Sequence, residues 1–300
     1  MRRSLLVVGL CCLLVLAGCG GTSTQPTASP SPSGTAAPDG GGGDGGAGSD
    51  DGDGGTADDG ESDGSGDAGG DGTDGGSSFE YPEGVDDSGV ADSTALFDAH
   101  VAAVSGTDYA INLTQVAAIG ENRTHATSVV RSDLDRERSL GRFEVTGQQD
   151  TSVAVFRNTS DFYRRQTAAG RTSYRVRNAT GSFATYHERR ADVLRSANTV
   201  FQFANLSSAE IVERDGRRMA RYTLDEVDRT AINESTTITD ASAELLVDER
   251  GVIHRGYVEI DGERDGEPRR LFVEFRTTAT GDVPVERPGW LGTAEEEAGT

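Results

Sequence analysis

The amino-acid sequence predicts an α+β domain in which a mostly antiparallel sheet is interrupted by helical segments. Three observations lead to this fold class. Every aromatic residue lies at position 79 or later, short segments after residue 108 alternate apolar with polar residues, and helical spacing occurs in two places. Turn residues separate the alternating segments, as they do between antiparallel strands. We therefore expect a single domain over residues 85–290, which is long enough to bury a core.

The first predicted element is a helix in the segment TALFDAHVAAVSG. Asp92 or Ser93 can cap its beginning, and Gly106 can end it. Phe97 and Val101 belong to an apolar stripe with helical spacing, which predicts the buried side.

A series of strands is predicted next. In DYAINLTQV, Tyr109, Ile111 and Leu113 alternate with smaller or polar residues, which indicates a half-buried strand. Strands are also expected in THATSVV, RSLGRFEV, TSVAVFR, DFYRRQT and TSYRVRN, and helical spacing returns between 181 and 205. Four further strands are expected in RRMARYTL, ASAELLVD, VIHRGYVEI and RRLFVEF. Hairpin turns are predicted at 248–251 and in the 261–266 loop.

The order of these elements resembles that of two groups of lipoproteins. A first helix, a long meander, a helical insertion and the late hairpin AELLVDERGVIHRGYVEI are similar to the lipoprotein-carrier (Lol-type) and mycobacterial LppX-type half-barrels. The chain also resembles a set of haloarchaeal surface lipoproteins. The resemblance covers about residues 90–285 and implies a curved antiparallel sheet, a half-barrel, with helices packed on its concave face. In those families the apolar hollow holds a lipid, which makes a lipid or other apolar ligand the implied partner.

The N-terminal segment predicts export and a lipid anchor. Arg2 and Arg3 precede an apolar run of signal-peptide length, which defines a signal peptide over residues 1–18. Residues 16–19, Leu-Ala-Gly-Cys, resemble the lipobox of secreted lipoproteins, which implies lipidation at Cys19. The paired arginines also resemble a twin-arginine export signal, although they equally serve as a positively charged start. We expect the protein on the extracellular face of the cell membrane.

Two segments are predicted to be disordered. Residues 20–78 contain no aromatic residue and no Leu, Ile or Val, so they cannot bury enough apolar area to offset their ordering entropy. We assign residues 19–84 to the lipidated Cys and a Gly/Asp/Ser-rich linker. The acidic tail 291–300 is also expected to be disordered. All three Cys lie at or before position 19, so the exported domain has neither a disulfide nor a thiol ligand.

The charge of the chain favours a halophilic archaeon as its source. The formal net charge is −22, and no Lys accompanies the Arg residues. An acidic surface stays soluble in concentrated salt, where long-range repulsion is screened. An acidic protein that binds basic partners or divalent cations is the other interpretation, but the acid is spread over the whole chain. Nucleic-acid binding is not expected, because no basic face stands out.

Six of the seven Asn residues begin an N-x-S/T sequon, far more than chance predicts. We therefore predict a glycoprotein, with the alternative that Asn and Ser/Thr cluster only because both favour turns. The predicted acceptors are Asn112, Asn122, Asn158, Asn178, Asn205 and Asn233.

No catalytic or cofactor motif is found in the sequence. There is no G-x-S-x-G, H-E-x-x-H or P-loop motif, and the four His residues lack ligand spacing. We expect no enzyme activity, no metal and no cofactor. Four arginine doublets, at 164–165, 189–190, 217–218 and 269–270, either clamp an anionic headgroup or pair with surface acids. Two hypotheses follow: a half-barrel that binds a lipid or other apolar ligand, or a ligand-free surface interaction or cell-envelope module.

Overall fold

The computed structural model describes residues 78–228 and 236–299, which contain an antiparallel sheet of eleven strands. The strands are β1 (Tyr109–Ile119), β2 (Asn122–Asp133), β3 (Arg138–Thr146), β4 (Thr151–Arg157), β5 (Asp161–Ala168), β6 (Arg171–Asn178), β7 (Ala204–Arg214), β8 (Arg217–Val227), β9 (Thr237–Asp248), β10 (Ile253–Arg264) and β11 (Glu267–Thr280). Their order is β6-β5-β4-β3-β2-β1-β11-β10-β9-β8-β7, so two meanders join where β1 pairs with β11. The sheet is open, with β6 and β7 at its edges. The predicted α+β fold with a large antiparallel sheet is confirmed.

The helices of the described chain are α1 (Ser93–Ser105), α2 (Phe183–Ala191), a 3-10 helix (Asp192–Leu194), α3 (Arg195–Phe201) and α4 (Leu291–Ala298). The first helix forms as predicted. Asp92 Oδ1 accepts hydrogen bonds from the backbone N–H groups of Thr94 and Ala95 at 2.9 and 3.0 Å, and the helix ends at Gly106. The predicted hairpins also form: Asp248 O accepts from Gly251 N, and Asp265 and Gly266 join β10 to β11.

Helices α1, α2 and α3 pack on one face of the sheet, which we call the inner face; the opposite side is the outer face. The main core lies between α1, α3 and the inner face of the central strands. The rings of Phe97, Phe201 and Phe275 lie 5.5–6.0 Å apart in this core. They leave no room for a side chain at Gly256, where a Cβ would lie 2.6 Å from the Phe275 ring. The space beneath these helices is therefore filled by protein side chains.

The prediction of a disordered acidic tail at 291–300 is wrong for residues 291–298, which form α4. Leu291 and Ala294 are buried against Phe156 and Tyr163, and Tyr163 Oη donates a hydrogen bond to Glu295 Oε1 at 2.9 Å. Strand alternation places Tyr163 on the outer face, so α4 packs there while the other helices pack on the inner face. Two apolar residues at i and i+3 anchor this helix, which also carries three consecutive Glu residues.

The predicted helical region 181–205 is too long. Helix α3 ends at Phe201, and residues Ala204–Arg214 form β7, which the sequence did not reveal. Among the strands this edge strand pairs with β8, while residues 87–90 add backbone hydrogen bonds to residues 206–209. Leu206 is its one fully buried residue, so its sequence lacks a clear alternation of apolar residues. The domain also begins earlier than residue 85, since Phe79 and Tyr81 pack against the main core.

Candidate functional site

The inner face of β1–β6 carries rows of side chains that cross the strands, because residues paired in register project to the same side. The row beneath α2 contains Tyr109, Ser132, Ser139, Arg157, Phe162 and Arg177. The second row contains Ile111, Val130, Gly141, Val155, Arg164 and Arg175. The third row contains Leu113, Ser128, Phe143, Val153, Gln166 and Ser173. Along β4 and β5, α2 covers the first row through Phe183 and Tyr186, and Val155 of the second row packs against the same cluster.

The open part of the inner face lies around Phe143 and Val145 and continues to Gln166 and Ser173, whereas Leu113, Ser128 and Val153 of the third row are buried. Phe143 and Val145 are partly exposed, and neither belongs to a hydrophobic cluster of the described residues. Gln166 is partly exposed and Ser173 is exposed at the same level of the sheet. An apolar strip with polar neighbours therefore lies uncovered by the described chain.

The second row carries a cluster of guanidinium groups. Arg164 and Arg175 are directly opposite each other on β5 and β6. Arg190 reaches down from α2 onto Gly141, where an added Cβ would overlap its Nη2 atom. The doublet 164–165 is divided between the faces, because Arg165 lies over Trp290 on the outer side at 5.7 Å. A glycine inside RSLGRFEV is a sequence signal for such a close approach, but its partner 49 residues later is not readable.

Cation–aromatic contacts hold the arginines of the first row. The guanidinium of Arg157 lies 4.5 Å from the Tyr186 ring centroid, and Nη2 donates to the carbonyl oxygens of Gly181 and Ser182 at 2.7 and 3.2 Å. Arg177 lies 4.4 Å from the Phe162 ring centroid. Arg157 is buried, and it fixes the loop that begins α2.

A groove of about 700 Å³ lies elsewhere, between the beginning of α1, the end of α3 and the ends of β7 and β8. Val90 and Phe201 supply apolar surface, while Asp92, Glu226 and Asp228 supply carboxylates. This mixed, acid-bearing lining distinguishes the groove from the inner face of β1–β6.

A Ser–His pair that the sequence did not suggest is found beneath α2. Ser132 Oγ and His187 Nδ1 are 2.7 Å apart, and His187 Nε2 is 3.0 Å from Thr107 O. With Nε2 donating to that carbonyl, Nδ1 accepts from Ser132, as in a nucleophile–base pair. Both side chains are fully buried, and burial lowers the pKa of His187. The pair therefore joins α2 to β2, and no substrate reaches it.

A second buried polar cluster joins α1 to the β9–β10 hairpin. His100 is fully buried, and its Nδ1 accepts the N–H of Ile253 at 3.1 Å. Burial lowers the pKa of His100 to about 4, and nearby His254 acts in the same direction. Burial alone would raise the pKa of Asp248, but hydrogen bonds from His254, Arg250 and the Val252 N–H outweigh it and lower that pKa. The cluster fixes the hairpin against the helix.

The structure places five of the six predicted sequons at accessible positions. Asn122, Asn178 and Asn205 are exposed, while Asn112, on the outer face of β1, and Asn158, in the β4–β5 turn, are partly exposed. The remaining Asn of the domain, Asn198, is buried and is the one that begins no sequon. Glycosylation stays a prediction.

Two further predicted sites, Asn233 and the lipidation site Cys19, lie outside the described residues, as do the signal peptide and most of the predicted linker. Within residues 78–228 and 236–299, no helix is long and apolar enough to cross a membrane. The same ranges contain no group of three or more His, Cys, Asp or Glu residues arranged to hold a metal ion.

Comparison with known proteins identifies no family for this chain. No family model matches, and no curated protein matches. Among solved structures, a chain of the Pseudomonas aeruginosa MucA/MucB complex is 11% identical, and the alignment covers 69% of this chain and 97% of that one with a TM-score of 0.12. MucB in complex with MucA(peri) is 12% identical, with coverages of 69% and 96% and a TM-score of 0.12. Similarity at this level carries no inference about the present chain.

Proposed function

We propose that this protein is a lipid-anchored lipoprotein on the extracellular face of a halophilic archaeon's membrane, and that its half-barrel domain binds a lipid or other apolar ligand without catalysing a reaction. The observation that carries the binding function is the open part of the inner face. Phe143 and Val145 are partly exposed there, and neither packs against the helices that cover the main core and the first row. Apolar residues that stay accessible beside polar ones are a feature of binding surfaces.

The anchor and the habitat are supported by the sequence. The Leu-Ala-Gly-Cys segment at 16–19 supports lipidation of Cys19, and the paired arginines support export, by the twin-arginine route or as an ordinary signal. The formal charge of −22 without Lys supports a high-salt environment. The accessible sequons support a glycosylated surface.

A second candidate is a ligand-free interaction or cell-envelope module. It is favoured by the filled space beneath α1 and α3, where Phe97, Phe201 and Phe275 occupy the interior. A ligand therefore binds only on the open part of the inner face, beyond the helices, if the first proposal holds.

Native mass spectrometry of the full chain extracted from its host membrane separates the two candidates. A non-covalently bound lipid of defined mass, lost on collisional activation, is the result expected for the binding protein. A mass that equals the chain plus its covalent lipid and glycans would contradict ligand binding and favour the interaction module.

A further inference from the structure

We infer that the ligand of the inner face is an anionic lipid, whose acyl chain covers Phe143 and Val145 and whose carboxylate or phosphate is held by Arg164, Arg175 and Arg190. This assignment rests on the proposed binding function and adds the chemical class of the ligand. Charge, burial and the order of the rows support it separately.

The inner face of β1–β6 is free of acid in a chain that is rich in acid. The chain has 50 Asp and Glu residues against 28 basic ones. No inner-face position of these six strands carries a carboxylate, and α2 adds Arg190 to the strand arginines. The strand arginines on this face are Arg157, Arg164, Arg171, Arg175 and Arg177. A positive field of this kind attracts anionic groups.

The arginines of the second row repel one another, and a bound anion would remove this repulsion. Arg164 and Arg175 are like charges directly opposite each other on neighbouring strands, which is an unfavourable cross-strand pair. None of the ion pairs of the described residues includes Arg164, Arg175 or Arg190. The Nε groups of Arg164 and Arg190 are buried and make no hydrogen bond to any described residue. A carboxylate or phosphate accepts paired hydrogen bonds from such groups.

The charged residues and the apolar residues of the inner face are spaced like the headgroup and the chain of an amphiphile. Along β3 and β4, Phe143 and Val153 lie two residues beyond Gly141 and Val155, which is about 7 Å. A headgroup at the second row therefore places its chain towards Phe143 and Val145, the partly exposed apolar residues of this face, and not in open solvent. The 700 Å³ groove is the wrong site for the same ligand, because Asp92, Glu226 and Asp228 would repel an anionic group.

The chain's own acidic segment is the competing occupant. Residues 39–74 consist largely of Asp, Glu, Gly and Ser, so their negative charge is complementary to the positive charge of the arginines. They contain no large apolar residue to cover Phe143, which is why the lipid is the better match.

Hexadecanoate and hexadecanol, which share an acyl chain and differ in headgroup charge, test the assignment by calorimetric titration of the full chain. The wild-type chain is expected to bind hexadecanoate at least about tenfold more tightly than hexadecanol, since a charge-assisted hydrogen bond contributes that much. The double variant Arg164→Gln/Arg175→Gln should lose this preference and keep its affinity for hexadecanol. The matched control Arg131→Gln/Arg142→Gln, on exposed outer-face positions of β2 and β3, should retain it.

A third variant tests whether the position of the Arg190 guanidinium matters for binding. Gly141→Ala displaces the far end of the Arg190 side chain, so the affinity for hexadecanoate should fall while that for hexadecanol is kept. Equal affinities of the wild-type chain for both ligands would overturn the anionic assignment and leave the proposed binding function standing. Binding of neither ligand would overturn both. If neither binds and the Stokes radius of the chain grows in the double variant, the acidic segment is the occupant and the lipid assignment is wrong.

Discussion

Replacing His100 by Asn should remove a specific part of the acid sensitivity of the domain. His100 is fully buried on α1, and its Nδ1 accepts a hydrogen bond from Ile253 N–H. Protonation of Nδ1 would place two N–H groups against each other and add a charge next to His254. The pKa of His100 in the folded state is accordingly lowered to about 4. Asn can keep an acceptor oxygen near the position of Nδ1, but it does not titrate.

The sign and size of the effect follow from linkage. The unfolded chain takes up a proton near pH 6.5, whereas folded His100 takes it up only near pH 4. The contribution of neutral His100 to the free energy of unfolding is therefore fully present above pH 6.5. It is lost as the pH falls from 6.5 towards 4. A separation of about 2.5 pH units at 1.36 kcal/mol each amounts to about 3 kcal/mol of unfolding free energy.

Urea unfolding at pH 7, 6, 5 and 4, in one fixed salt concentration, measures this loss. The difference in unfolding free energy between pH 7 and pH 4 should be about 3 kcal/mol smaller in His100→Asn than in the wild type, whatever the baseline stability of the variant. His125→Asn, at an exposed position, should show the wild-type difference. Equal losses in wild type and His100→Asn would refute the reasoning.

Three other predictions concern separate parts of the molecule. Ser132→Ala leaves buried His187 Nδ1 without its partner and should lower the unfolding free energy by about 1–3 kcal/mol in urea titrations; an unchanged midpoint would show that the pair contributes nothing. Leu291→Ala should weaken the free energy with which α4 packs on the sheet by about 2–3 kcal/mol. Limited proteolysis should then cleave within residues 291–298 before the rest of the domain, and simultaneous cleavage would contradict independent docking of α4. Cys19→Ser should release the protein from membranes into the medium, as cell fractionation would detect; retention of the processed variant on the membrane would contradict a lipid on Cys19 as the anchor.

The sequence revealed the elements whose signals are local. Helix α1 has a capping Asp92 and a terminal Gly106 at the expected positions, and the strands with buried inner faces alternate clearly. Strand β7 was missed because an edge strand with one fully buried residue needs no alternation. Helix α4 was missed because its stability comes from Leu291 and Ala294 packing on the sheet and not from its own sequence.

The candidate site depends on contacts that the sequence does not encode locally. Alternation within β3 and β5 predicts which residues share a face, but not which face receives the helices. Arg190 meets Gly141 across 49 positions, and His187 meets Ser132 across 55. These approaches depend on how α2 returns over β2 and β3, which is decided by packing of the whole sheet.

Photo-crosslinking with a diazirine-bearing hexadecanoate is the most direct measurement of the central claim that a lipid binds on the open inner face. Residue-level mass spectrometry of the labelled full chain should place the label on Phe143 or Val145, and excess unlabelled hexadecanoate should remove it. Label on the groove that contains Val90 and Phe201, or a label spread over the outer face, would contradict the account.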